Sequence, residues 1–220
     1  MHKEKIEYDI LEIFPTPVFT TTLPESFGYL TEWFYKQEMN GDSEEQGVDA
    51  ANYGDRSKNS YILDEPECKD FKPFVLGLAK TYGDMLGYDY ESYRFGQSWL
   101  SYKHPGQHHT QHTHPNSLIS GVFYFGQPEE KTPAIRLHKI SGGFNTSYIS
   151  PKKVLDKREL KYAWEHFDIN FNPGLFLMFP SHLHHSVPLN QSNTVRCSLA
   201  FNAVPEVGFG VESSLTELKF

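Results

Sequence analysis

The chain has 220 residues, 38% of them hydrophobic and 22% charged, enough apolar matter for a packed core and too much for wholesale disorder. A net charge of −8 disfavours a nucleic-acid partner, because phosphate contacts need an excess of Lys and Arg. The longest apolar run, Leu175–Phe179, is far too short to span a bilayer, and Met1–Lys5 opens no stretch of signal-peptide type, so no membrane association is expected. Two cysteines, Cys68 and Cys197, cannot build a disulfide framework or a zinc ribbon and fit a reducing, cytoplasmic setting.

Tyr8–Thr22 is rich in β-branched and aromatic residues but broken by Pro15 and Pro17, which predicts an edge strand or two short ones. Phe27, Leu30, Trp33 and Phe34 recur at helical spacing and predict a helix within Pro24–Met39. Asn40–Ser60 is polar and glycine-containing and predicts a surface loop. Phe71–Leu86 predicts a second amphipathic helix, with Pro73 tolerated only in its first turn. From Tyr93 the pattern changes to short apolar or alternating segments between Gly, Pro, Asn and His clusters: Arg94–Tyr102, Leu118–Phe125, Ala134–Ile140, His166–Phe171, Leu175–Phe179, Ser186–Leu189 and Val195–Val204. Such a series predicts a double-sheet jelly roll. Ser141–Glu165 interrupts it with Gly142-Gly143 and the bases Lys152, Lys153, Lys157, Arg158 and Lys161, either a solvated excursion or a lid over a site. The expected fold class is therefore mainly β (α+β), a single domain over 1–220. Helical support falls at about 24–90 and a jelly-roll core at about 93–205.

Eight of the 11 histidines fall in two windows, at 104, 108, 109, 112 and 114 and at 182, 184 and 185. Histidine is the commonest metal ligand. His112 and His114, two apart in extended backbone, share a face and can hold adjacent positions of one metal ion. In the second window an apolar strand ends at Pro180 and His185 begins another. Arg196 then enters an otherwise apolar strand, where a buried guanidinium needs an anion, and Ser198 shares its face. Each piece has a plain alternative: His-x-His recurs by chance, the second window can be turn residues, and Arg196 can pair with a structural carboxylate. The order of the pieces is what makes a site.

That order resembles the iron(II)- and 2-oxoglutarate-dependent oxygenase superfamily, above all its small 2OG-Fe(II) oxygenases and, more distantly, the prolyl hydroxylases. The resemblance rests on Ile13–Val18 (IFPTPV), His112-x-His114-Pro115-Asn116-Ser117 leading into Ser120-Gly121-Val122-x-Tyr124, Phe179-Pro180-Ser181-x-Leu183-x-His185-x-Val187, and Arg196-x-Ser198-x-Ala200-Phe201-Asn202. It implies a double-stranded β-helix with Fe(II) as metal and 2-oxoglutarate and O2 as co-substrates. His112 and His185 then take the places of the histidine ligands. His114 stands where the superfamily usually carries a carboxylate; a more distant Asp or Glu, or water, is the other way to complete the set. By the same matching Arg196 and Ser198 hold the distal carboxylate of 2-oxoglutarate, with Tyr124 and, more weakly, Tyr102 in its pocket. His108 and His109 are read as loop residues ahead of the strand, and His104, His182 and His184 as loop or outer residues. The implied activity is hydroxylation of a C–H bond in a small-molecule or peptide substrate, with release of succinate and CO2; a homodimer is compatible with it. Two alternatives stand beside it. A cupin-like metalloenzyme without 2-oxoglutarate is favoured by three histidines and disfavoured by Arg196-x-Ser198. A non-enzymatic binding or virion-associated jelly roll would carry its histidines for structure.

Overall fold

In the computed structural model the described residues are 15–40, 54–129, 132–139 and 164–220. The expected lid with Gly142, Gly143 and Lys152–Lys161 lies outside them, as do Tyr8–Phe14 and 41–53 of the expected loop.

Two antiparallel sheets carry the fold. Strands β1 (Phe19–Thr22), β2 (Met39–Asn40), β3 (Asp55–Ser57), β4 (Tyr93–Lys103), β6 (Ile119–Phe125), β9 (Leu175–Pro180) and β11 (Arg196–Pro205) form a seven-stranded sheet in the order β1-β9-β6-β11-β4-β3-β2. Strands β5 (His109–His112), β7 (Pro133–His138), β8 (His166–Asn170) and β10 (His185–Val187) form a four-stranded sheet in the order β5-β10-β7-β8. Non-consecutive neighbours in both sheets are what a jelly roll requires. The structure thus has the mainly β architecture that the segment pattern predicts.

The large sheet is covered on both faces, so its central strands lose the usual alternation. Every residue of β6 (ISGVFYF) and β9 (LFLMFP) is buried. One face packs on α1 (Tyr29–Phe34) and α2 (Phe71–Met85), where Leu30, Phe34, Phe71, Val75, Ala79 and Tyr82 meet Phe123, Phe125, Phe176, Leu199 and Phe201. The other face meets the small sheet through Val122, Tyr124, Leu175, Leu177 and Phe179 against Ala134, Ile135 and Leu137.

Helix α2 runs as its periodicity predicts, with Pro73 in the first turn where its missing N–H is harmless. Three expectations need correction. The first helix is only Tyr29–Phe34, preceded by a 3-10 turn at Glu25–Phe27 and followed by β2. Within the expected 40–60 loop, Asp55–Ser57 is a strand, recruited by β4 through Asp55↔Tyr102 and Arg56↔Ser101. His109 does not sit in a loop but opens β5, an edge strand recruited by β10. The last two rest on short polar stretches whose backbone partners are supplied from far along the chain.

Candidate functional site

Strand pairing brings the two histidine windows together. His112, the last residue of β5, lies directly opposite His185, the first of β10. His114 follows in the connection to β6, its N–H donating to Ser181 O at 3.0 Å. The turn between β9 and β10 is tied to the same connection, since Ser181 N–H donates to Leu118 O at 3.1 Å. The hydroxyls of Ser117, Ser120 and Ser181 cluster between them at 2.8–2.9 Å. Asn116 takes a positive φ of 60°, a left-handed conformation that Asn tolerates better than most residues, and so turns the chain between His114 and β6.

The ligand atoms of His112, His114 and His185 all lie within 4.8 Å of one another. His112 Nδ1 is 2.8 Å from Thr110 O and His185 Nδ1 is 2.9 Å from Leu183 O. A carbonyl only accepts, so each Nδ1 carries the proton and each Nε2 presents its lone pair. His185 Nε2 faces His114 Nε2 at 3.2 Å. Desolvation by burial, helped by the neighbouring His112, pushes His114 down to about 4 and His185 down to about 3; burial also lowers His112. Three neutral imidazoles converging on one point, two with their outer nitrogens fixed by backbone carbonyls, are a donor set suited to Fe, Zn, Cu or Ni. No fourth His, Cys or carboxylate joins the group among the described residues. His114 therefore stands in the cluster itself, and no described Asp or Glu takes the carboxylate's place.

Around the cluster, Phe179 meets the His185 ring edge-on at 4.8 Å and the Trp99 ring lies 5.8 Å from His114. His109 stacks on His112 at 4.3 Å. Burial, then the charges of His112, Lys103, His185 and Arg196, holds His109 down to about 2, so it too is neutral.

Deeper between the sheets lies a cation. Arg196 is 3% exposed. Its Nε donates to Pro133 O and Ala134 O at 3.1 Å, Nη1 to Ser198 Oγ at 3.1 Å and Nη2 to Tyr124 OH at 3.2 Å. No carboxylate of the described residues lies within ion-pair distance of it. Arg196, Ser198 and Tyr124 are thus brought together as the sequence order suggests, since Ser198 lies opposite Tyr124 in the β11–β6 pair.

Tyr102 is not brought to this pocket. Its hydroxyl donates to Phe34 O at 2.9 Å, and its ring packs with Tyr35 and Phe125 on the helix-covered face. Burial raises its pKa. Successive strand residues face opposite ways, so Tyr102 is one residue out of phase with the pocket. The in-phase residue, Lys103, is 3% exposed and was not picked out by sequence reasoning. Its signal was its place opposite Arg196, which needs the β4–β11 register to be seen.

Residues 97–202 match the profile of the family described as "Putative 2OG-Fe(II) oxygenase". No curated protein matches the chain in sequence. Among solved structures, a prolyl-4-hydroxylase from Pseudomonas putida is similar at 15% identity and a TM-score of 0.59, over 85% of this chain and 92% of that one. HygX from Streptomyces hygroscopicus, solved with nickel and 2-oxoglutarate, is similar at 10% identity and a TM-score of 0.57, over 86% and 83%. A 2OG-Fe(II) oxygenase family oxidoreductase from Burkholderia pseudomallei is similar at 12% identity and a TM-score of 0.52, over 84% of each chain. At such identities these structures speak for the fold. No helix among the described residues is long and apolar enough to cross a membrane. The stretch that holds the histidine cluster and Arg196, residues 97–202, is thus similar to the 2OG-Fe(II) oxygenase family.

Proposed function

We propose that the protein is an Fe(II)- and 2-oxoglutarate-dependent oxygenase that hydroxylates a C–H bond of a small-molecule or peptide substrate. In this reading His112, His114 and His185 hold the metal. Arg196, Ser198 and Tyr124 hold the far carboxylate of the co-substrate. The observation that carries it is the pairing of two features in one sandwich: a convergent set of neutral imidazole nitrogens, and a buried guanidinium with no carboxylate partner among the described residues. When bound, metal and co-substrate supply the oxidising chemistry, in which O2 is shared between 2-oxoglutarate, leaving as succinate and CO2, and the substrate, leaving as the alcohol.

The chain's own part is placement and environment. The backbone carbonyls of Thr110 and Leu183 fix the His112 and His185 tautomers. Phe179 and Leu183 keep the inner side of the cluster dry. Arg196 offers a planar fork that suits a carboxylate, and the Ser198 and Tyr124 hydroxyls orient that fork.

Succinate formation from 2-oxoglutarate with Fe(II) tests the reading. Wild type produces it and His185→Ala does not; metal-independent turnover, or turnover untouched by that substitution, overturns it. Arg196→Met weakens 2-oxoglutarate binding by roughly 100-fold while leaving metal content unchanged, the loss expected when a charged hydrogen-bonding partner is removed. Loss of metal in that variant would overturn the division of roles. The all-histidine donor set is the one observation that favours a cupin-like enzyme instead, and calorimetric titration of 2-oxoglutarate into the Ni(II)-loaded chain separates the two.

A further inference from the structure

Lys103 and Arg196 occupy directly opposed positions in the β4–β11 pair, each 3% exposed. Opposed residues in an antiparallel pair project to one face. Lys103 Nζ donates to Ser101 Oγ at 2.9 Å, two residues back on that face. Ser101 lies opposite Ser198, the residue that takes the Arg196 Nη1 hydrogen bond. The two cationic heads therefore turn toward one rung of two serines, with the Tyr124 hydroxyl beside it. The lysine stem is confined as well: a Cβ on Gly54, itself at φ +71°, would stand 3.1 Å from Lys103 Cδ.

Two buried cations side by side form a costly arrangement unless an anion joins them. Among the described residues no carboxylate is within ion-pair distance of either, and Asp55, the nearest acidic influence on Lys103, is engaged with His104 at 3.0 Å. Burial first, and the Arg196 charge next, press Lys103 down to about 7 against the opposing pull of Asp55. Both cations keep unused donors, since Arg196 Nη1 and Nη2 and Lys103 Nζ each carry more protons than the hydrogen bonds named here consume. A carboxylate has two oxygens to receive them.

On the oxygenase reading above, we propose that Lys103 is a second anchor, beside Arg196, for the far carboxylate of 2-oxoglutarate, so that this chain grips its co-substrate with two cations. The pair selects a 2-oxo acid that ends in a second carboxylate over one that ends in a methyl group.

The test is calorimetric titration of 2-oxoglutarate and of 2-oxobutyrate, which lacks the far carboxylate, into the Ni(II)-loaded full chain without O2. Lys103→Met binds 2-oxoglutarate roughly 10- to 100-fold more weakly than wild type, the effect of one charge-assisted hydrogen bond. Its affinity for 2-oxobutyrate and its nickel content stay unchanged. Lys103→Gln gives the same pattern and serves should the methionine variant not fold. Unchanged 2-oxoglutarate affinity in both variants overturns the role of Lys103, and so does an equal loss for both acids, which would mark a merely structural part. If Arg196→Met loses 2-oxoglutarate while the Lys103 variants keep it, the oxygenase reading stands and only the second anchor falls. If wild type binds no 2-oxoglutarate, that reading falls and takes the anchor with it.

Discussion

His185 concentrates the site's physical chemistry in one side chain. It is 5% exposed, its Nδ1 is bound to Leu183 O, and its ring touches His112, His114 and Phe179. In the metal-free chain burial holds its pKa down to about 3, against an ordinary 6.5. Below pH 6.5 the unfolded chain therefore takes up a proton that the folded chain refuses. Stability from this group is intact above that pH and is lost as pH falls toward 3, by at most about 1.4 kcal/mol per pH unit. His114, held to about 4, acts in the same direction. Thermal unfolding of metal-free protein between pH 8 and 4.5 is expected to give a melting temperature that drops below pH 6.5, with a shallower drop in His185→Leu. Parallel profiles for the two proteins would contradict it.

The elements show why some strands are legible and others are not. Strands β6, β9 and β11 are largely apolar because both faces of the large sheet are covered there, and their segments stand out in the sequence. Strands β3 (DRS) and β5 (HTQH) carry little apolar signal; each is a strand because β4 or β10 offers backbone partners. Close packing between central strands leaves its own mark at Gly121, which lies opposite Phe201. A Cβ there would overlap the Phe201 ring, itself held between Phe95 and Phe176. Gly121→Ala is expected to destabilise the protein by about 1–3 kcal/mol in urea unfolding, the usual cost of overpacking a filled core. A neutral result would mean that the ring has room to move.

For the whole molecule, the site straddles the two sheets. The histidines come from the small sheet and the β5–β6 connection; Arg196, Ser198 and Tyr124 come from the large one. Occupying both halves would link the layers. With Ni(II) and 2-oxoglutarate each about 100-fold above its dissociation constant, every site adds roughly 2.7 kcal/mol. In a chain of this size that raises the melting temperature by about 5–10 °C per ligand. His185→Ala abolishes both increments, because the co-substrate's oxo-acid end needs the metal. Arg196→Met keeps the nickel increment and loses most of the other. A 2-oxoglutarate increment that survives in His185→Ala would separate the two halves of the proposed site.

The sequence by itself determined the class of fold and the identity and order of the candidate-site side chains: His112, His114, His185, then Arg196 and Ser198. Short apolar or alternating segments bounded by turn residues point to strands, and ligand types at a fixed spacing point to a metal site, without knowledge of what packs on what. Only the tertiary structure decided which neighbours face that site. Tyr102 and Lys103 are adjacent, yet one seals the helical layer and the other lies beside Arg196. The physical reason is the pleat: a shift of one residue moves a side chain through the sheet, and the phase is set by cross-strand register rather than by local sequence. The same holds for charge. A net −8 describes the chain as a whole, while its interior keeps two basic side chains in opposed register that no composition reveals.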